Sequence, residues 1–187
     1  IYFNKGVVDA YDKTISALSN KGMTVTVILL NDWNPNTPDL VYPGTQKNSN
    51  AFYYMFNAET EAGFDQTKAI ASFLAQHYSG GNPNYGKVSN WIIGNEINNQ
   101  QWNYMGAMDL TNYVKAYQKA FRVIYTAIKS TNANDRVYFS LDYNWMNEID
   151  GKLKYGGKEI VDSFNSIANT QGQMDWGLAY HPYPRSE

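Results

Sequence analysis

Residues 88–96 read Val-Ser-Asn-Trp-Ile-Ile-Gly-Asn-Glu, a short apolar run that ends in a glycine and two polar side chains. A β-branched run of this length, stopped by glycine, is typical of a buried strand. Three other runs share this form. The sequence therefore predicts strands over residues 23–31, 88–97, 136–145 and 174–183.

Apolar residues at helical spacing lie before each of these runs. They predict helices over residues 5–20, 65–78, 109–129 and 157–168, with Asp65 as the N-cap of the second helix. Strands that alternate with helices form parallel sheets covered by helices, so the predicted class is α/β. Periodicity does not decide between an open sheet and a barrel, although a Rossmann fold needs a glycine fingerprint after its first strand, which this sequence lacks.

The composition excludes several classes of function. Of 187 residues, 43% are hydrophobic and 17% charged, so we expect one soluble unit with a buried core. A formal net charge of -2 with scattered Lys and Arg gives no basic surface for nucleic acid. No cysteine and two histidines argue against thiol chemistry, iron–sulfur clusters and His-rich zinc sites, and no cofactor is implied. The longest apolar run, residues 25–30, is far shorter than the roughly 20 residues that a membrane span needs.

Polar side chains follow each predicted strand at its carboxyl end, in residues 31–33, 94–96, 142–145 and 180–183. Ligands bind at this end of parallel α/β folds, so we expect these segments to converge on one site. Side chains alternate along a strand, which places Ser140, Asp142 and Asn144 on one face and His181 with Tyr183 on the equivalent face of the last strand. These side chains are predicted to point into the site.

Two of these segments resemble clan A glycoside hydrolases, which are (β/α)8 barrels. Residues 88–96 are similar to the fourth strand of that family, which ends in an Asn-Glu pair. Residues 179–183, Ala-Tyr-His-Pro-Tyr, are similar to the His-x-Tyr end of its sixth strand, and two βα units separate the motifs as the family requires. The resemblance implies a TIM barrel, present here as a partial barrel of four parallel strands and helices that covers about strands three to six.

The resemblance also implies a function. It indicates hydrolysis of O-glycosyl bonds in a polysaccharide by a retaining, two-carboxylate mechanism. Glu96 would be the general acid/base, a role that suits a partly buried carboxyl group, and Asn95 would bind the sugar 2-hydroxyl at the cleavage point. The structural alternative is that Glu96 caps the following loop or pairs with a lysine.

Seven further residues are candidates for substrate binding: His181, Tyr183, Asp142, Asn144, Trp33, Trp102 and Trp145. Each has a packing alternative. A histidine in a strand is often buried and satisfied, a tyrosine often packs, and Asp142 either binds sugar hydroxyls or buttresses a neighbour. The tryptophans either stack on sugar rings or pack at the rim, and the aromatic residues 52–56 form either a lid over the cleft or a local cluster. No metal ligand is predicted.

The family's nucleophile, a Glu on strand seven, falls outside this sequence. Glu187 follows the last predicted strand too closely for a crossover of a dozen or more residues, and Glu148 and Asp150 are interpreted as solvated loop charges. Ile1 opens directly on a helical pattern, without an initiator Met or a signal peptide. We therefore expect residues 1–187 to be one partial barrel from a larger chain, inactive alone, with unpaired outer strands that favour self-association.

Two other functions remain open. A barrel that binds glycans without cleaving them would lack a Glu at the end of strand seven. A metal-dependent barrel hydrolase ranks lower, because His181 is the one histidine at a strand end. The low charge, the many Asn and Tyr residues and the absence of cysteine favour a secreted or cell-surface bacterial protein. The identity of the glycan depends on loop shapes that the sequence does not give.

Overall fold

The computed structural model describes residues 2–146 and 150–183. Its elements are helix α1 (Lys5–Ser19), strand β1 (Thr26–Leu29), helix α2 (Glu61–His77), strand β2 (Asn90–Ile93), helix α3 (Leu110–Thr131), strand β3 (Arg136–Leu141), helix α4 (Gly157–Thr170) and strand β4 (Trp176–Tyr180). A 3-10 helix, Pro38–Leu40, interrupts the loop after β1. The strands form one parallel sheet in the order β1-β2-β3-β4, which confirms the predicted α/β fold with a partial barrel.

The main core lies between the sheet and its helices. Trp91 in β2 and Phe139 in β3 are buried on the face of the sheet that meets Phe121 of α3 and Phe164 of α4. The rings of Phe121 and Phe164 meet edge to face, with centroids 5.1 Å apart, an arrangement that aromatic pairs favour. Because the helices cover this face, the alternate residues of each strand face the barrel interior.

The interior face of the sheet is partly open. Ile28 of β1, whose side chain alternates with core residues, is 42% exposed. Further along the sheet, Tyr138 of β3 lies beside Gly177 of β4, and the two are register partners. A Cβ atom on Gly177 would meet the ring of Tyr138, so glycine makes room for the tyrosine on this face.

Helix α2 begins one turn earlier than predicted. Thr60 is its N-cap, and the Thr60 hydroxyl accepts a hydrogen bond of 3.1 Å from the Gly63 N–H. The prediction that Asp65 caps this helix was wrong, because Thr60 already satisfies a free N–H group of the first turn. The Asn57 amide donates to the same hydroxyl at 2.9 Å and holds the cap in place.

The long loop between β1 and α2 is held by two buried asparagines. Asn31 donates to the Leu40 carbonyl at 2.8 Å, and Asn57 donates to the Asp39 carbonyl at 2.9 Å. The backbone of Tyr54 donates to the Asn31 carbonyl at 2.8 Å. The loop is therefore fixed at the carboxyl end of β1, where the sequence places the candidate site.

The outer strands β1 and β4 each pair with one other strand within the described ranges. Self-association through their free edges stays a prediction. None of the described helices combines the length and the apolar character that crossing a membrane would require.

The substitution Gly177→Ala tests the packing of the interior face. The added methyl group would force the Tyr138 ring to move, so we expect a loss of about 1–3 kcal/mol in the free energy of unfolding. Gly81→Ala is the matched control, because its Cβ atom would meet nothing closer than the Ser79 hydroxyl at 3.6 Å. Urea denaturation of both variants gives the comparison, and equal stabilities would contradict this packing.

Candidate active site

The loops after β2, β3 and β4 meet at the carboxyl ends of the strands, and Glu96 lies at their centre. Its backbone has a φ of 43°, the one positive φ at a non-glycine residue in the described part of the chain. The Glu96 N–H donates to the Ser140 hydroxyl at 2.9 Å, and that hydroxyl donates to the Gly94 carbonyl at 3.3 Å. A strained backbone of this kind costs about 1–3 kcal/mol and is typical of functional sites.

The Glu96 side chain is 5% exposed and is held through one oxygen. Tyr183 donates its hydroxyl to Glu96 Oε1 at 2.6 Å, and His181 Nδ1 lies 2.9 Å from the same atom. An ionised Glu96 requires His181 to carry its proton on Nδ1. Glu96 Oε2 receives no hydrogen bond from residues 2–146 or 150–183. Within these ranges, one carboxylate oxygen is thus positioned and the other has no partner.

No lysine or arginine pairs with Glu96 among the described residues; its ion-pair partner there is His181. Glu96 therefore does not have the lysine partner that the structural alternative required. Its carbonyl does accept a hydrogen bond from the Asn99 N–H at 2.8 Å, so its backbone also shapes the loop.

Asp142 buttresses the loop after β2. Its oxygen Oδ1 accepts hydrogen bonds from the Asn98 amide and, at 2.8 Å, from the Asn144 N–H. Its oxygen Oδ2 accepts from the Asn144 amide at 3.2 Å, and its own N–H donates to Asn98 Oδ1 at 2.9 Å. Both oxygens of this buried carboxylate are occupied, which is the buttressing arrangement that the sequence left open. Contact of Asp142 or Asn144 with sugar stays a prediction.

Asn95 precedes Glu96 and is half-buried. Its side chain makes no hydrogen bond with any residue that the structure describes, unlike Asn98 two positions after Glu96, whose amide is committed to Asp142. The Asn95 amide is therefore available to a ligand beside Glu96.

The three candidate tryptophans lie in different surroundings. Trp33 is half-buried with Lys47 Nζ 5.8 Å from its ring centroid, and Trp102 stacks on Phe52 at 4.6 Å. Trp145 packs edge-on against Tyr180 at 5.8 Å and joins the core beneath the helices. The structure does not bring Trp145 to Glu96, because its ring lies on the helix side of the sheet, as in the packing alternative.

The acidic loop residues are placed as follows. Asp150 Oδ1 accepts the backbone N–H groups of Lys152, Leu153 and Lys154 at 2.7–2.9 Å, so it shapes its own exposed turn. These bonds, that of Leu153 first, lower the pKa of Asp150 below its usual range. Glu148 and Glu187 lie outside the described residues. No group of three or more His, Cys, Asp or Glu residues in the described ranges is arranged to hold a metal ion.

Sequence reasoning missed two contributors to this site. Ser140 shares the interior face with Asp142, so alternation along β3 pointed to it, but nothing in the sequence indicated that it would hold the Glu96 N–H. Phe52 lies in the aromatic stretch that was predicted as a lid or a local cluster, and its stacking on Trp102, with Tyr54 and Met55 buried beside it, has the form of a local cluster.

A family model described as "Family of unknown function (DUF5722)" matches residues 1–186. Comparison with curated proteins finds no match. Among solved structures, the chain is similar to a glucosidase from Croceicoccus marinus, with a TM-score of 0.56 and 12% sequence identity. The likeness covers 91% of this chain and 29% of the glucosidase, so the chain spans less than a third of that protein's length. At this identity the comparison shows the fold alone, which is a glycosidase-like partial barrel.

The contact between Tyr183 and Glu96 predicts an alkaline titration. The hydrogen bond to the carboxylate, then partial burial and the negative charges of Glu96 and Asp142, raise the pKa of Tyr183 above its ordinary value of 10.0. The difference in phenolate absorbance between wild type and Tyr183→Phe, followed against pH, reports the titration of Tyr183. We expect its midpoint to lie above the ordinary value. In the Glu96→Gln background, the midpoint should move back toward the ordinary value. Since the folded-state pKa is raised, the stability from this bond is complete below the ordinary pKa and is lost as the pH rises through the raised one.

The control for this titration is Tyr2, which is fully exposed. The same subtraction made with Tyr2→Phe should not respond to Glu96→Gln. A Tyr183 midpoint at or below the ordinary value, or one that ignores Glu96→Gln, would contradict the contact.

Proposed function

The chain belongs to the family of unknown function DUF5722, and we propose that it is the part of a retaining glycoside hydrolase that carries the general acid/base, Glu96. The proposal extends the glycosidase-like fold to a specific chemistry, and its sequence support is the resemblance of residues 88–96 and 179–183 to clan A enzymes.

One observation carries the proposal. Glu96 is a buried carboxylate at the carboxyl ends of parallel strands, anchored through Oε1 by His181 and Tyr183, and its Oε2 has no hydrogen-bond partner in the part of the chain that the structure describes. Active sites of (β/α) barrels lie at this end of the strands. A residue that must first give and then take a proton needs one fixed geometry and one unoccupied oxygen, and Glu96 has both.

The proposed reaction has two steps. In the first, a nucleophilic carboxylate about 5 Å from Glu96 forms a bond to the anomeric carbon, the glycosidic bond breaks, and Glu96 Oε2 gives its proton to the leaving oxygen. In the second, Glu96 takes a proton from water while that water attacks the anomeric carbon and releases the nucleophile. Asn95 binds the sugar 2-hydroxyl in both steps, as the resemblance implies.

The nucleophile lies outside this segment in our proposal. Asp142 has both oxygens occupied by Asn98 and Asn144, and Asp150 is engaged by its own turn, so neither is free to attack. The proposed domain is therefore residues 1–187 as a partial barrel within a larger chain, with the second carboxylate on a later strand. The length of the similar glucosidase, of which the chain covers 29%, is consistent with such a chain.

The proposed substrate is a polysaccharide, and the proposed location is outside a bacterial cell or on its surface. The low charge of the chain, its 16 tyrosines and its lack of cysteine are compatible with that setting.

The isolated chain should not turn over substrate. Without a second carboxylate in position, acid assistance by Glu96 alone cannot form the glycosyl intermediate. We expect no release of nitrophenol from a panel of nitrophenyl glycosides above the uncatalysed rate, whereas the longer protein releases it from at least one. Turnover by residues 1–187 alone would contradict the division of the two carboxylates.

Glu96→Gln in the longer protein tests the assigned role. Loss of general acid/base catalysis should lower the rate about 100- to 10,000-fold on glycosides with poor leaving groups. Dinitrophenyl glycosides have a leaving group that needs no proton, so the rate of the first step should fall much less for them. Comparison of kcat/KM for the two substrate types gives the result.

Glu61→Gln is the matched control, since it makes the same change at an exposed glutamate of α2 and should leave both rates unchanged. Equal losses on good and poor leaving groups would contradict the acid/base role of Glu96. If the longer protein binds glycans but hydrolyses none of them, the alternative of a non-catalytic, glycan-binding barrel would be supported instead.

A further inference from the structure

An aromatic platform lies at the rim of the candidate site. Phe52 stacks on Trp102 with ring centroids 4.6 Å apart and an angle of 25° between the rings, and Tyr53 stacks on the same indole at 6.3 Å. Phe52 is nevertheless 54% exposed. One face of its ring is thus supported by Trp102 while the side chain remains open to solvent.

The platform is tied to the loop that carries Glu96. The Phe52 N–H donates to the Gln101 carbonyl at 2.8 Å, and the Tyr104 N–H donates to the Tyr53 carbonyl at 2.9 Å. Glu96 lies earlier in the same loop, and its carbonyl accepts a hydrogen bond from the Asn99 N–H. These backbone bonds attach the platform to the loop on which Glu96 lies.

A groove of about 330 Å³ adjoins this loop, and its lining includes five residues with amide side chains beside Ala51, Tyr104, Leu153 and Lys154: Asn48, Asn50, Asn99, Gln100 and Gln101. Two of these side chains accept hydrogen bonds through their oxygens and so fix local turns. Asn48 Oδ1 accepts from the Asn50 N–H at 2.9 Å, and Asn99 Oδ1 accepts from the Gln101 N–H at 3.1 Å. The Nδ2 groups of these two side chains make no hydrogen bond with any described residue. The groove therefore presents amide donors in fixed orientations.

A rigid, exposed aromatic face beside oriented amides has the chemistry that recognises sugars. The C–H face of a pyranose ring is apolar and stacks on an aromatic ring, while its hydroxyl groups hydrogen-bond to amides.

We propose that Phe52, supported by Trp102, is a sugar-binding subsite separate from the cleavage point, and that the substrate is a polysaccharide chain that stacks on Phe52 and reaches the neighbouring groove. The inference rests on the proposed function for the position of cleavage, but the binding itself needs no catalysis. It assigns Phe52, the first residue of the aromatic stretch 52–56, a role in binding.

Affinity electrophoresis of the 187-residue chain tests the platform. Native gels contain a mixed-linkage β-glucan, an arabinoxylan, a galactomannan or a soluble starch, and the variants are Phe52→Ala, Phe52→Trp and Tyr11→Ala. All of these are uncharged substitutions, so changes in mobility report binding and not charge. Tyr11 is the matched control, since it is an aromatic residue with 59% exposure on α1.

We expect one of the polysaccharides to retard wild type, Phe52→Trp and Tyr11→Ala alike. Phe52→Ala should need about 3- to 10-fold more polysaccharide for the same retardation, because it loses the stacked face. A soluble hexasaccharide of that polymer should relieve the retardation, because it competes with the gel-bound polymer for the same aromatic face. Equal retardation of Phe52→Ala and wild type, or no retardation of wild type by any of the four, would overturn the subsite.

The subsite and the proposed function fail in different ways. If the retardation depends on Phe52 but the longer protein hydrolyses nothing, the subsite is supported and the hydrolase function is contradicted. If hydrolysis depends on Glu96 but Phe52→Ala leaves binding unchanged, the hydrolase function is supported and the subsite is contradicted.

Discussion

The site depends on the two hydrogen bonds that reach Glu96 Oε1 from the far end of the sheet. Glu96 follows β2, whereas His181 and Tyr183 follow β4, so the bonds exist because β3 holds these two strands in a fixed parallel register. Ser140 of β3 takes part directly, since its hydroxyl receives the Glu96 N–H. A shift of one residue in any of these strands would turn the side chains to the opposite face and remove the contacts.

That register is in turn set by the contrast between the two faces of the sheet. On the helix side, Trp91, Phe139 and Phe164 belong to one buried cluster, and a slip would expose them. On the interior side the residues include the small Gly177 and the polar Ser140. Burial of the aromatic face thus stabilises the register, and the register positions the polar groups at the strand ends.

The sequence allowed much of this to be predicted. The alternation of helices and strands follows from apolar spacing, and the convergence of Glu96 with His181 follows from the polar ends of parallel strands. Details that depend on competing local hydrogen bonds were not predictable. Thr60 rather than Asp65 starts α2 because both can cap a helix, and only the folded loop decides which one does. Trp145 was equally suited to either face, since an indole packs in a core as readily as it stacks on a sugar.

The most direct test of the account is to find the residue that forms the covalent intermediate. A 2-deoxy-2-fluoro glycoside with a good leaving group traps the glycosyl ester of a retaining enzyme, and mass spectrometry of peptides locates it. In the longer protein, we predict one labelled carboxylate outside residues 1–187, with Glu96 unlabelled. A label on Glu96 or on any other carboxylate of this chain, or hydrolysis with no trapped ester, would contradict the assignment of Glu96 as the acid/base of a retaining site.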